Sequence, residues 1–351
     1  MTEVTIRNTR VNSIDQNESV SKSMLDYNNA SSMQLKLIEG GKGNIQLAVP
    51  LLPKHEGTVK IADFGCSYGR NSMFVMKHLL DEMKLYPNYT SNLTNMVFYH
   101  EDLPDNDFEA VRSCVEDPEI GYPFHELVKK NNIKTSTECI GRTYYEQIVE
   151  SESIDIAFCY TSLHWMPEYK ETPYGLIYDR MYNDTELTKW FDEMSDRYLT
   201  KWLDLRHEEL KEGGLVSFNI MSGTNMANWV NDNWKLALSQ RGLDQKNFTK
   251  INLPVYQRSE ENLKKLLKKL DSKFKVVRCE PIEDPAPTPK SGIRAALYNQ
   301  IVVGLAQYPE AFPDEVSRSS LYDEFEALLF SDGSDAKVID SIFQWVVLQK
   351  L

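Results

Sequence analysis

Residues 61–72 read IADFGCSYGRNS, an apolar run ending in an acid, two glycines four apart, then polar residues. That order describes a strand passing through a tight turn into a helix, because glycine permits backbone angles and close approaches that other residues resist. Met73, Phe74, Met76, Leu79, Leu80 and Met83 follow at helical spacing, so the helix begins directly after the turn. A buried strand that feeds a helix needs a sheet covered by helices, which commits the chain to an α/β arrangement. The turn holds one Gly-x-x-x-Gly and lacks Gly-x-Gly-x-x-Gly, so a dinucleotide is not its automatic ligand. A plain strand–turn–helix junction without a ligand has the same pattern.

The rest of the chain repeats this alternation. Strands are expected at TVKIADF (58–64), NMVFYHEDLPDND (95–107), SIDIAFCYTSLHW (153–165), LVSFNIMSG (215–223), KFKVVRCEP (273–281) and SIFQWVVLQKL (341–351). Helices are expected in MLDYNNASSMQLKLIEGG (24–41), closed by Gly40-Gly41, and around Trp190, Phe191, Met194, Tyr198, Trp202 and Leu205. About fifty residues separate LVSFNIMSG from KFKVVRCEP, and about sixty separate the latter from SIFQWVVLQKL. Both stretches carry helical patterns and are too long for simple crossovers. They imply a helical cap over the carboxyl ends of the strands, where open α/β sheets bind ligands. The expected organisation is a flexible arm over 1–20 and one domain over 21–351, with cap insertions at about 166–200, 222–270 and 285–335. PIEDPAPTPKSG (281–292) reads as a short stiff linker.

Composition narrows the function classes. The formal net charge of −13 argues against an electrostatic binder of nucleic acid or anionic membrane. No apolar run approaches 18 residues, so no membrane span is expected. Cys66, Cys114, Cys139, Cys159 and Cys279 are scattered without a Cys-x-x-Cys pair, as in a reducing, cytoplasmic setting. The histidines lack metal-ligand spacing, and no metal is expected.

Asp63 at a strand end suits an amine or hydroxyl, and Asp102 in EDLPDND suits a pair of ribose hydroxyls. Read alone, Asp102 is as well explained by a solvated turn. Trp165 at a strand end is more often core than donor, and LKKLLKKL fits a helix with a solvated lysine face better than a membrane binder.

Six segments agree with one family. YNNASSMQ, IADFGCSYGRN, DLPDNDF, SLHW, KEGGLVSF and INLPVY resemble, in order and approximate spacing, the SABATH methyltransferases from about residue 27 to the C-terminus. These enzymes use S-adenosyl-L-methionine to methylate small carboxylic acids or ring nitrogens of xanthine alkaloids. The resemblance implies a class I methyltransferase (Rossmann-like) fold, a seven-stranded sheet with an α-helical cap, and typically a homodimer. It places Tyr27 and Ser31 beside the cofactor, Asp63 and Asn71 near its methionine moiety, Asp102 on the ribose and Leu103 on the adenine, with Gly65 also at the cofactor. It assigns Gln34 and the Trp165 indole to the substrate carboxylate, with His164, Tyr160 and Thr161 lining the same pocket.

The chain also departs from that pattern. Arg142-Thr143 stand where the family has Ser-Phe near the adenine, Tyr68 and Arg70 replace a serine and a proline, and Thr161 replaces a tyrosine. At the place of a magnesium-binding acid the chain reads Thr249-Lys-Ile251-Asn252, so no metal is implied. The expected activity is O-methylation of a small-molecule carboxylic acid. N-methylation of a heterocycle and a methyltransferase-like binding protein without turnover stay open as alternatives.

Overall fold

The computed structural model describes residues 3–8, 32–168, 170–178, 185–251 and 253–351, with the side chains of 3–4, 6–8, 32–34 and 284–286 excepted. Eight strands are described: β1 (Glu3–Asn8), β2 (Thr58–Phe64), β3 (Asn95–Asp102), β4 (Lys134–Gly141), β5 (Ile154–Cys159), β6 (Leu210–Thr224), β7 (Phe274–Pro289) and β8 (Ala336–Lys350). They form one sheet in the order β1-β4-β3-β2-β5-β6-β8-β7. The pairs from β1 to β6 are parallel, and β8 runs antiparallel between β6 and β7. All six residues of β5 are buried, as expected of a central parallel strand covered on both faces. Asp63 pairs with His100 and Phe158, and Asp102 with Gly141, so the carboxyl ends of β2, β3, β4 and β5 lie side by side.

Among the described residues, besides short helices at Pro87–Thr90 and Glu126–Lys130, the helices are α1 (Ser32–Gly40), α2 (Lys42–Ala48), α3 (Arg70–Met83), α4 (Phe108–Glu116), α5 (Thr185–Glu209), α6 (Met226–Gln240), α7 (Glu260–Lys269), α8 (Lys290–Leu305) and α9 (Glu315–Leu329). On one face, Met73, Met76, Leu80 and Met83 of α3 pack on Val59, Ile61 and Phe98. On the other, Leu199, Trp202 and Leu203 of α5 and Leu263, Leu266 and Leu267 of α7 cover Phe64, Ala157 and Phe218. A third core lies off the sheet, where Trp234 of α6 meets Leu297 and Ile301 of α8 and Phe325 of α9. Among the described residues no helix is long and apolar enough to cross a membrane.

Four local expectations change. Residues 3–8, read as part of a flexible arm, form β1 against β4, and a six-residue edge strand leaves little pattern in sequence. β4 escaped the reading because KTSTECIG is polar and only its last residues are buried together. The proline-rich stretch is the end of β7 rather than a linker. β7 is the outermost strand, and Pro281, Pro285, Pro287 and Pro289 fall on alternate residues, so their missing N–H groups lie on the outward side. SEENLKKLLKKL is the expected helix with exposed lysines, α7, capped by the Ser259 hydroxyl 3.2 Å from the Asn262 N–H, but its leucines cover the sheet instead of capping the strand ends.

Candidate active site

The turn after β2 is shaped by three residues with positive φ, Gly65 (78°), Ser67 (50°) and Gly69 (90°). A Cβ at Gly65 would sit 2.4 Å from Ser162 Oγ, and one at Gly69 would sit 2.9 Å from Val111 Cα, so both approaches require glycine. The Gly65 and Cys66 N–H groups both donate to the Glu101 carbonyl at 2.9 Å. The Ser67 N–H donates to Asp102 Oδ2 at 2.6 Å, and the Leu103 N–H to Asp102 Oδ1 at 2.8 Å. Asn106 Nδ2 donates to the Ser67 carbonyl at 2.8 Å. Asp102 is thereby fixed by two backbone donors, and each oxygen keeps a lone pair for a ligand.

Two acids here are held away from their ordinary behaviour. Burial pushes Asp63 up to about 7; the Ser72 hydroxyl bonded to it opposes that, and the nearby Asp102 charge adds to it. Asp102 keeps part of its surface open, yet its crowded surroundings push it up to about 6 against the pull of the Leu103 and Ser67 N–H groups. Asn71 is buried in the first turn of α3.

The loop after β4 closes one side. The Arg142 N–H donates to the Asp102 carbonyl at 2.9 Å, while the Arg142 guanidinium turns back to the Gln147 carbonyl at 3.0 Å. Thr143 Oγ1 accepts from the Tyr145 N–H at 3.4 Å, and the Tyr144 hydroxyl donates to the Ser162 carbonyl at 3.4 Å. Arg206 of α5 holds this loop from beneath. Its guanidinium lies 3.9 Å from the centre of the Phe64 ring and donates to the carbonyls of Tyr144 at 3.1 Å and Glu146 at 3.2 Å. Glu209 balances its charge, with Nε and Nη2 donating at 2.7 and 3.0 Å.

The segment after β5 forms the opposite side. Thr161 has φ 56°, unusual for a β-branched residue, and its N–H is held 2.6 Å from Asn219 Oδ1. The Trp165 N–H donates to the Ser162 carbonyl at 3.0 Å, and Trp165 forms a bridge with Val255. The Tyr256 N–H in turn donates to the His164 carbonyl at 2.8 Å, so INLPVY is stitched to SLHW. His164 is buried, its Nδ1 has no partner among the described residues, and burial pushes it down to about 4. The Trp165 ring is half-buried 6.0 Å from the His164 ring.

Tyr160 behaves differently from its expected place in the substrate pocket. It is 5% exposed, its hydroxyl bonds Ser217 Oγ at 2.7 Å, and its ring packs 5.2 Å from Trp345. It is a core residue, because strand alternation turns it toward α2 while Thr161 leaves the strand. Gln34 lies in α1 with its side chain outside the described set, and Tyr27, Ser31 and Asn252 fall outside the described residues altogether. Sequence reasoning missed Ser72, Glu101, Ser162 and Asn219. Only Asn219 left a signal, a buried amide within the apolar run LVSFNIMSG.

The order β4-β3-β2-β5-β6-β8-β7, with its single reversed strand and its loops gathered at one carboxyl edge, defines a class I methyltransferase fold. A family model described as SAM dependent carboxyl methyltransferase matches residues 20–304, and the chain belongs to that family. It is 26% identical over 208 residues to S-adenosyl-L-methionine:benzoic acid/salicylic acid carboxyl methyltransferase 2 of Petunia hybrida, spanning 56% of this chain and only 56% of that enzyme's length. It is 22% identical over 298 residues to jasmonate O-methyltransferase of Arabidopsis thaliana, spanning 72% of this chain and 73% of that one. The solved structure of a loganic acid methyltransferase with SAH has the same fold, with a TM-score of 0.71 and 19% identity over 94% of this chain and 98% of that one.

The residues present fit the methyl donor in the family's description. Asp63 is a buried carboxyl whose ionisation is opposed by burial and by the nearby Asp102 charge, and an amino-acid ammonium would offset both. Glu101 Oε1 is a second buried acceptor, with no partner among the described residues. Gly65 gives the backbone room for close approach.

Proposed function

We propose that the chain is an S-adenosylmethionine-dependent O-methyltransferase that forms methyl esters of a small-molecule carboxylic acid. One observation carries the reading: the loops bearing Gly65, Asp102, Thr143 and Trp165 are joined by hydrogen bonds and close contacts at one edge of the sheet. In this reading Asp63, Asn71 and Gly65 take the amino-acid end of the cofactor. Asp102 and Leu103 take the ribose and adenine, with Tyr27, Ser31, Arg142 and Thr143 bordering them. When bound, S-adenosylmethionine supplies a sulfonium methyl open to direct displacement.

The chain's own part is alignment. A carboxylic acid with a pKa of about 4 is already ionised at neutral pH, so no residue has to remove its proton. The Trp165 indole and the Gln34 amide are neutral donors that orient the carboxylate for an approach of about 3–3.5 Å. His164, held near 4, adds no positive charge at neutral pH. That suits a reaction in which the carboxylate loses its charge, since a strong ion pair would favour the ground state. Arg70 is exposed and the Arg142 guanidinium lies on its own loop, which favours turnover over a binding protein with a blocked cleft.

A panel of aromatic, fatty and terpenoid acids with methyl-labelled S-adenosylmethionine tests the reading. Base-labile label in the product of at least one acid is expected. Base-stable label confined to heterocyclic nitrogen overturns it. The reading extends to a cytoplasmic homodimer, supported by five cysteines that form no disulfide among the described residues and by the family resemblance. Light scattering that returns a monomer mass refutes the dimer.

A further inference from the structure

A buried line of polar side chains starts at Asp63 and leads away from the candidate cofactor site. Asp63 and His100 are register partners on β2 and β3, so their side chains share one face of the sheet, and the Ser72 hydroxyl of α3 acts on the Asp63 carboxyl there. Ser72 Oγ lies 3.0 Å from His100 Nδ1, His100 Nε2 lies 3.3 Å from the Tyr122 hydroxyl, and that hydroxyl bonds Thr137 Oγ1. His100 and Tyr122 are fully buried, Thr137 is 1% and Ser72 2% exposed, so water does not compete for these bonds. The line runs from α3 through β3 to β4. It has no part in the alignment chemistry described above.

Its direction can be worked out from the donors. Each hydroxyl has one proton to give, and a neutral imidazole donates from one nitrogen and accepts at the other. If Thr137 donates to Tyr122, Tyr122 donates to Nε2, Nδ1–H donates to Ser72 and Ser72 donates to Asp63, every proton is used. In the opposite direction the Thr137 hydroxyl proton has no acceptor among the described residues, since Tyr122 is its one partner there. Burial holds His100 down at about 4, so the ring stays neutral and relays the bond without carrying charge.

We propose that Ser72 and His100 are positioning residues for Asp63: the line of donors ending at Ser72 favours the carboxylate form of Asp63 and aims it at the ammonium of the cofactor's amino-acid end. The proposal rests on the cofactor reading given above. Of the other groups facing Asp63, Asp102 of β3 opposes ionisation, while burial pushes Glu101 of β3, Cys66 after β2, Cys159 of β5 and Tyr160 beyond it toward their neutral forms, so none of them supplies a positive charge. Ser72 is therefore the group that tips the balance, and the coupling makes cofactor affinity depend on pH.

Calorimetric titrations over about pH 5.5–7.5 test this, below the range where an α-amino group loses its proton at about 8. The probes are S-adenosylhomocysteine and 5′-methylthioadenosine, which lacks the amino-acid end. Wild-type affinity for S-adenosylhomocysteine is expected to rise more steeply across that range than methylthioadenosine affinity, whose change reports Asp102 at the ribose alone. Ser72→Ala is expected to move the half-point up by about one pH unit, the strength of one hydrogen bond to a charged group, and to weaken S-adenosylhomocysteine about fivefold at pH 7. Ser72→Thr is expected to restore it. Tyr122→Phe, which removes a single oxygen, is expected to shift the half-point in the same direction by less. The ring-nitrogen NMR shifts of His100 should report the Nδ1–H tautomer when S-adenosylhomocysteine is bound. A uniform loss at every pH with an unmoved half-point in both variants overturns the relay while leaving the cofactor reading intact. Absence of S-adenosylhomocysteine binding to wild type overturns both.

Discussion

Around Asp63 and Asp102, loops from neighbouring parallel strands are joined backbone to carboxylate or carbonyl, through bonds of 2.6, 2.8 and 2.9 Å. Around Trp165 the chain is held instead by segments distant in sequence. Asn219 of β6 fixes Thr161, residues 254–256 pair with 164–166, and a third core of α6, α8 and α9 stands behind them. The first region is built from what the sheet must do anyway, because aligned strand ends bring the same backbone groups together. The second is built from insertions that can change without disturbing the sheet. In the proposed reading the first region takes the methyl donor and the second takes the acceptor.

The two regions also differ in electrostatic sign, and pH offers the largest test. Asp63 is raised from 3.8 to about 7 in the folded protein. Between those values the folded state binds more protons than the unfolded one, so stability falls as pH rises and then levels off. Asp63→Asn removes this penalty. Its stability relative to wild type, from urea titrations without ligand, should improve from about pH 4 to about pH 7 by up to about 1.4 kcal/mol per pH unit. His164 is lowered from 6.5 to about 4, so wild type gains stability over that rise and His164→Gln should lose ground relative to it. Curves of the same sign for both variants would erase the contrast.

Arg206→Met comes next. It leaves Glu209 buried and unpaired and frees the carbonyls of Tyr144 and Glu146, which should cost about 3–5 kcal/mol in denaturant titrations. A loss confined to the donor region predicts weaker S-adenosylhomocysteine binding at a temperature where the variant is still folded.

At pH 7.5 and above, Asp63→Asn should weaken S-adenosylhomocysteine about 10- to 100-fold, the value of a hydrogen bond to a charged group, and leave methylthioadenosine nearly unchanged. Smallest is the acceptor-side change. Trp165→Phe should lower kcat/KM for the acid about tenfold, with S-adenosylhomocysteine affinity held within about twofold, since one neutral donor is lost. If Trp165→Phe instead abolishes cofactor binding, the two regions are not separable.

The residues proposed to hold the donor could be named from sequence because they sit beside features that sequence shows directly. Asp63 and Gly65 end an apolar run, and Asp102 ends another, so strand alternation and glycine spacing place them at one edge. The line from Ser72 to Thr137 left no such trace, since its members lie on α3, β3, β4 and an intervening turn and meet only when register is known. Tyr160 was misplaced because one residue of strand extension decides which face it takes. β4 was missed because its burial comes from neighbours rather than from its own polar composition.

The alternate prolines at the end of β7 have a further effect on how copies of this protein meet. An outermost strand normally offers a row of amide donors on which another chain can extend the sheet. Here four of those positions carry no N–H, and the one between Pro281 and Pro285 on the same side is Glu283, a charge. The second half of this strand is guarded against templated growth. Copies that meet there rely more on side chains, because the outward ladder is broken at four positions.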